Sequence, residues 1–235
     1  RVMVDTELDT AFTLIQDGSF SEALPLIEGV ISEDPEHWNA IFLAGICCRS
    51  IGDLDRAIEF QKRSISLNGD FPDSWLALGI SLQLKEEFSD AIIALKEALK
   101  LDPTMFEGYN SLGMIYNKMD NLDKALNNFD KAGNVLIDEA QAESKRRGYI
   151  TWKKSDDGKT AYFVTEESYT FVEGYLRKDK KYASAMFNLG NIYFAMGDHE
   201  SAKDSLIESI DFTPDGASSE PAYEGLKAMG IEYTP

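Results

Sequence analysis

Residues 73–103 read DSWLALGISLQLKEEFSDAIIALKEALKLDP, and residues 107–137 read EGYNSLGMIYNKMDNLDKALNNFDKAGNVLI. Set 34 positions apart, Trp75 falls on Tyr109, Leu78-Gly79 on Leu112-Gly113, Ala91 on Ala125 and Ala98 on Ala132. Moving back by the same interval finds Ala44-Gly45 and Ala57, and a further interval finds Ala11 and Ala23. A late copy, SAMFNLGNIYFAMGDHESAKDSLIESIDFTP, supplies Leu189-Gly190, Tyr193, Gly197, Ala202 and Pro214. A fixed period of this length signals a stack of supersecondary units, each burying its apolar face on its neighbours.

The residue types say what each unit is. Gly45, Gly79, Gly113 and Gly190 carry no Cβ, so a neighbouring helix can come close. The alanines Ala23, Ala57, Ala91, Ala125 and Ala202 do the same on a second helix. Gly52-Asp53, Asp120-Asn121 and Gly197-Asp198 are turn and cap pairs between two helices. Pro35, Pro103 and Pro214 close the second helices, because proline cannot continue the hydrogen-bond ladder. This pattern resembles the tetratricopeptide repeat, with its W…LG…Y in a first helix and A…F…A…P in a second. The resemblance implies an all-α solenoid of helical hairpins, wound as a right-handed superhelix. Gly69 and Ile137 stand where closing prolines belong, and Glu7 replaces the opening aromatic of the first copy.

Copies start near residues 4, 38, 72 and 106, so residues 1–139 hold four repeats. The next regular copy spans 183–216, and residues 140–182 hold an interrupted repeat. Within it, DEAQAESKRR (138–147) reads as a first helix or as an extension of the helix before it. SYTFVEGYLRKD (168–179) reads as a second helix, with Phe171, Val172, Tyr175 and Leu176 on one side. Between them, GYITWKKSDDGKTAYFVTEE (148–167) alternates, turns at Asp157-Gly158 and alternates again. That predicts an inserted β-hairpin at about 149–164, with strands Tyr149–Lys154 and Thr160–Val164. Such a hairpin must lean on something to be stable. It packs on the solenoid, or offers a second surface for a partner or another copy through Tyr149, Trp152, Lys153, Lys154 and Tyr162. A third option, with Lys145, Arg146 and Arg147 adding cations to stacking rings, is contact with nucleic acid, which the overall charge opposes. Residues 217–235 supply a carboxy-terminal capping helix (Ser219–Gly230) and a tail.

Composition bounds the partners. Hydrophobic residues make up 43% and charged ones 27%, as in an ordinary globular chain. The net charge of −18 opposes nucleic acid and anionic membranes and favours cationic partners. It is uneven: residues 140–182 hold ten Lys and Arg against seven Asp and Glu, and the remainder thirteen against thirty-four. No apolar run is long enough to span a membrane. The first residue is Arg rather than Met, as in a trimmed or mature chain whose targeting segment has been removed. Adjacent Cys47 and Cys48 read as small core hydrophobes rather than a disulfide, which suits a reducing cytoplasm without excluding an oxidising compartment.

Catalytic chemistry is missing from the sequence. His37 and His199 stand alone in turn-like surroundings, and no Cys or His has metal-ligand spacing. There is no phosphate loop, nucleophile elbow or calcium loop. Neither an enzyme nor a cofactor is expected. Instead the resemblance implies a concave groove lined by first helices, at roughly the second, fifth, ninth and twelfth positions of each repeat. Those positions hold Leu8, Phe12, Ile15, Phe42, Ile46, Leu76 and Ile80 in repeats one to three. Repeat four presents Glu107, Asn110, Met114 and Asn117, and the last regular repeat Phe187, Asn191 and Phe194, with Asn188 beside them. A chaperone-tail carboxylate clamp does not fit, since its first Lys and Asn fall on Leu8 and Phe12 or on Phe42 and Ile46. The expectation is a non-catalytic adaptor that holds a peptide or an amphipathic partner helix, with asparagines that can bond an extended backbone. The alternatives are a self-assembling structural protein joined through its hairpin or capping ends, and the repeat portion of a larger chain with catalysis elsewhere. The apolar half of the groove is also open to being filled by the chain itself.

Overall fold

The computed structural model describes residues 2–148, 150–154, 160–164, 166–178, 180–213 and 219–233. Its contacts gather into two compact units, residues 1–111 and 112–235.

In the first unit, helices come in hairpins: α1 (Val2–Gln16) with α2 (Phe20–Glu33), α3 (Trp38–Ser50) with α4 (Leu54–Leu67), and α5 (Pro72–Leu84) with α6 (Phe88–Leu101). Consecutive pairs pack through α2 on α3 and α4 on α5. Helix α7 (Phe106–Lys118) runs across the boundary between units. The turn inside a repeat is a left-handed residue followed by a cap. Gly52 has φ 87° and Asp120 φ 57°, and the next residues, Asp53 and Asn121, accept bonds from the backbone N–H of Arg56 and Lys124. Repeats one and three lack that cap bond: Ser19 follows Gly18 (φ 78°) and Glu87 follows Glu86 (φ 61°) without accepting from the helix N-terminus, and Glu87 pairs with Lys85 instead.

Between paired helices the small residues bring backbones together. Ala23, Ala44, Ala57, Ala91, Ala98, Ala125 and Ala202 are fully buried. A Cβ on Gly79 would stand 2.6 Å from Leu95, on Gly113 2.6 Å from Phe129 and on Gly190 2.7 Å from Leu206. The sequence period is therefore a packing period. α2 and α6 stop two residues before Pro35 and Pro103. α4 stops at Leu67, and the carbonyl of Gly69 accepts the Trp75 indole N–H at 2.8 Å. Pro214 lies outside the described residues.

The second unit follows from a missing stop. With Ile137 in place of the closing proline, α8 (Leu122–Arg146) runs on for 25 residues, so 138–146 extend the preceding helix. Glu143 pairs with Arg146 and Arg147 where it ends. Two short strands follow, β1 (Ile150–Lys154) and β2 (Thr160–Val164), antiparallel with Trp152 opposite Tyr162. Residues 155–159, where the sequence predicts the turn, lie outside the described ones. Helix α9 (Glu166–Leu176) then returns to α8, where buried Ser144 and Ser168 hydroxyls lie 3.0 Å apart and Tyr175 donates to Glu139 at 2.9 Å. Helix α10 (Lys180–Met196) packs on α8 and pairs with α11 (His199–Asp211). Arg177, stacked over Phe212, donates to the Asp211 carbonyl. Helix α12 (Glu220–Ala228) covers this end, burying Ala222 and Leu226 against Leu206 and Ile210.

Candidate partner-binding surface

In the first unit the expected groove positions fall on α1, α3 and α5. Leu8, Ile15, Phe42 and Ile46 are half-buried and pack against the core, while Phe12 is 49% exposed. Leu76 and Ile80 are half-buried on α5. Phe42 meets the edge of Phe71 at 5.1 Å between ring centroids, and Trp38 meets the same ring at 5.1 Å. Phe71 sits before α5 at no groove position, so repeat spacing alone does not find it. These contacts fill part of the apolar face from within and leave Phe12 as its most open ring. Asn110 and Glu107, at the start of α7, are half-buried and already engaged within the fold.

One groove residue escapes a search for apolar side chains. Arg49 holds the twelfth position of the second repeat, seven residues after Phe42 and three after Ile46, on the same helical stripe. It is half-buried, and among the described residues its guanidinium makes no ion pair or hydrogen bond. Burial pulls its pKa down, and no carboxylate of the described residues opposes that shift. A cation at a groove position is the one sequence signal that points to it.

In the second unit Met114 is 45% exposed, and Asn117 is exposed with it on α7. On α10, Phe187 and Asn188 are half-buried and Asn191 and Phe194 are exposed, with Phe194 beside His199 at 5.5 Å. Phe187 packs against the cluster under α12. A separate cleft of about 320 Å3 opens among Leu136, Glu139, Tyr175, Leu176, Lys178 and Tyr182. Of the second surface expected at the hairpin, Tyr149 lies outside the described residues, as do the side chains of Trp152, Lys153, Lys154 and Tyr162.

The remaining chemistry is structural. Cys47 and Cys48 are free and fully buried, and burial, then the neighbouring Cys48, pushes the Cys47 thiol up to about 11. His37 caps α3, its Nδ1 accepting from the Ala40 N–H at 3.2 Å. Among the described residues no cluster of His, Cys, Asp and Glu is arranged to hold a metal, and no helix is long and apolar enough to cross a membrane.

Family models described as tetratricopeptide repeat match residues 14–79, 72–105, 106–132 and 183–215. A TPR repeat-containing protein of Methanocaldococcus jannaschii is 23% identical over 163 residues, covering 69% of this chain and 27% of that protein. The cell division cycle protein 27 homolog of Caenorhabditis elegans is 31% identical over 129 residues, covering 54% of this chain and 16% of that protein. The chain thus matches only about a quarter and a sixth of the length of these relatives. Among solved structures, MamA from Desulfovibrio magneticus RS-1 has a TM-score of 0.63 at 15% identity, covering 89% of this chain and 94% of that one. A thermophilic TPR protein of Thermus thermophilus has a TM-score of 0.61 at 15% identity, covering 97% and 100%. At these identities the structures share the fold alone. With the repeat models covering more than half of its residues, the chain belongs to the tetratricopeptide repeat family.

Proposed function

We propose that this chain is a non-catalytic scaffold that holds an amphipathic segment of another protein. The surface is the first-helix face of residues 1–111: Leu8 and Phe12 on α1, Phe42 and Ile46 on α3, Leu76 and Ile80 on α5. The observation that carries this reading is Phe12. An aromatic ring 49% exposed beside half-buried aliphatics leaves apolar area in water, and covering it is worth about 25 cal/mol per Å2. An amphipathic helix supplies apolar side chains at the spacing needed to cover it. The net charge of −18 draws a segment with a basic outer face towards it.

The test is selection of binders from a displayed random peptide library by the whole chain, scored by affinity for a Phe12→Glu variant. Phe12 is exposed enough for the fold to survive the change, which circular dichroism checks. Loss of binding supports this face. Unchanged binding moves the site elsewhere. Sedimentation over a range of concentrations separates the scaffold, whose mass stays constant without ligand, from a self-assembling protein, whose mass grows.

A further inference from the structure

We infer that the segment held on this face carries an Asp or Glu side chain that pairs with Arg49, so that one acidic residue inside an apolar stripe is the partner's signature. The inference rests on the surface proposed above and adds its chemical specificity.

Three observations converge on Arg49. By helical spacing it lies on the stripe of Phe42 and Ile46. Its guanidinium has neither a counter-ion nor a hydrogen-bond partner among the described residues, although the chain holds 41 Asp and Glu. In the other repeats the same position holds Ile15, Gln83, Asn117 and Phe194, so the cation belongs to this repeat and not to the fold. The two other described arginines of this unit are satisfied: Arg56 pairs with Glu28, and Arg63 donates to the Pro35 carbonyl.

A half-buried cation without a partner has given up hydration and gained nothing for it. A guanidinium presents a fixed fork of donors that matches a carboxylate with two parallel bonds. A ligand closing over this face would remove the remaining water, strengthening that bond and penalising any ligand that leaves the guanidinium unpaired. The overall acidity selects a basic segment, and Arg49 fixes where its one acid must fall.

The experiment pans a random peptide library, attached to the carrier through its carboxyl end so that only side-chain carboxylates are offered. It uses the full chain, Arg49→Gln and Arg49→Glu, each checked by circular dichroism. The expected result is that peptides selected by the unaltered chain share an acidic residue at a fixed distance from their apolar ones. Changing that residue to its amide in a synthetic peptide weakens binding about tenfold or more. The same change has no effect on Arg49→Gln, and Arg49→Glu selects Lys or Arg at that place. The peptide amide is read on the unaltered protein, so the test holds even if a variant misfolds. Apolar peptides that bind through Phe12 with no acidic preference would overturn the role of Arg49 and leave the surface standing. Peptides insensitive to Phe12→Glu would remove the surface, and the Arg49 pairing with it.

Discussion

Gln61 faces Gly45 at the place where Leu95 faces Gly79, Phe129 faces Gly113 and Leu206 faces Gly190. Three repeats seal the approach of their two helices with an apolar side chain; the second seals it with an amide. Gln61 is fully buried, and neither its Nε2 nor its Oε1 has a hydrogen-bond partner among the described residues.

Gln61→Leu should therefore stabilise the protein. An unpaired buried polar group costs about 1–3 kcal/mol, and in a chain of this size each kcal/mol moves the thermal midpoint by about 2–4 °C. A rise of several degrees is expected. A fall would show that the amide is satisfied by a buried water, which a leucine cannot replace.

The glycine itself is the second test. Gly79→Ala pushes a Cβ to 2.6 Å from Leu95 and should destabilise by about 1–3 kcal/mol. Leu95→Ala alone should cost about 2–5 kcal/mol through the cavity it leaves. Because the second change makes room for the first, the double variant should lose less than the two combined. Gly29 is the control: a Cβ there meets only Glu7 Oε2 at 3.7 Å, so Gly29→Ala in mid-helix should stabilise by roughly 0.5–1 kcal/mol. Additive costs at Gly79 and Leu95 would refute the steric account.

The repeat is legible because the residues that set it are forced by sterics. Gly79, Ala91 and Ala98 admit few substitutes where backbones nearly touch, so they recur at a fixed interval. The length of α8 is less legible: 138–147 read equally as a new helix or an extension, because Ile137 removes the stop without saying where the helix ends, and in the fold Leu136 and Ala140 lie buried along one continuous helix. At the surface, spacing places Phe12 and Ile46 on one stripe but cannot say that Phe71 comes across to cover Phe42. Arg49 escapes the sequence for a different reason. Its lack of a partner is a property of its three-dimensional surroundings, which no periodicity records.

The cap of α11 predicts an acid response. The Asp198 carboxylate accepts from the Ser201 hydroxyl at 2.8 Å and from the Ser201 backbone N–H at 3.1 Å, and these bonds, the hydroxyl first, hold its pKa below the ordinary value. Asp102 is held down in the same sense, first by the Thr104 hydroxyl and then by the Thr104 N–H. A carboxyl depressed in the folded state contributes stability that is present above its unfolded pKa, roughly 3.9, and is lost as pH falls through the folded value. Urea midpoints should therefore fall below roughly pH 4. Asp198→Asn, which keeps an acceptor without the charge, should lower the midpoint at neutral pH and make the acid loss shallower. An unchanged pH profile would mean that the cap adds nothing to folding.

Cys47 and Cys48 report on the first unit without any added probe. Both thiols are fully buried on α3, and burial raises the pKa of each, Cys47 to about 11. The thiolate is the reactive form, so a raised pKa and a closed site both suppress attack by an aromatic disulfide reagent. At mildly alkaline pH the native chain should label slowly, at a rate set by opening of α3 from its neighbours. In rising urea both thiols should become reactive over one transition, because Cys47 and Cys48 belong to one buried cluster with Ala11, Ile27, Val30 and Ala57. Gln61→Leu, if it tightens the packing beside Gly45, should slow native-state labelling in proportion to its gain in stability. Rapid labelling of one thiol in native buffer would show that α3 opens locally and that the face bearing Phe42, Ile46 and Arg49 is less firmly held than its packing indicates.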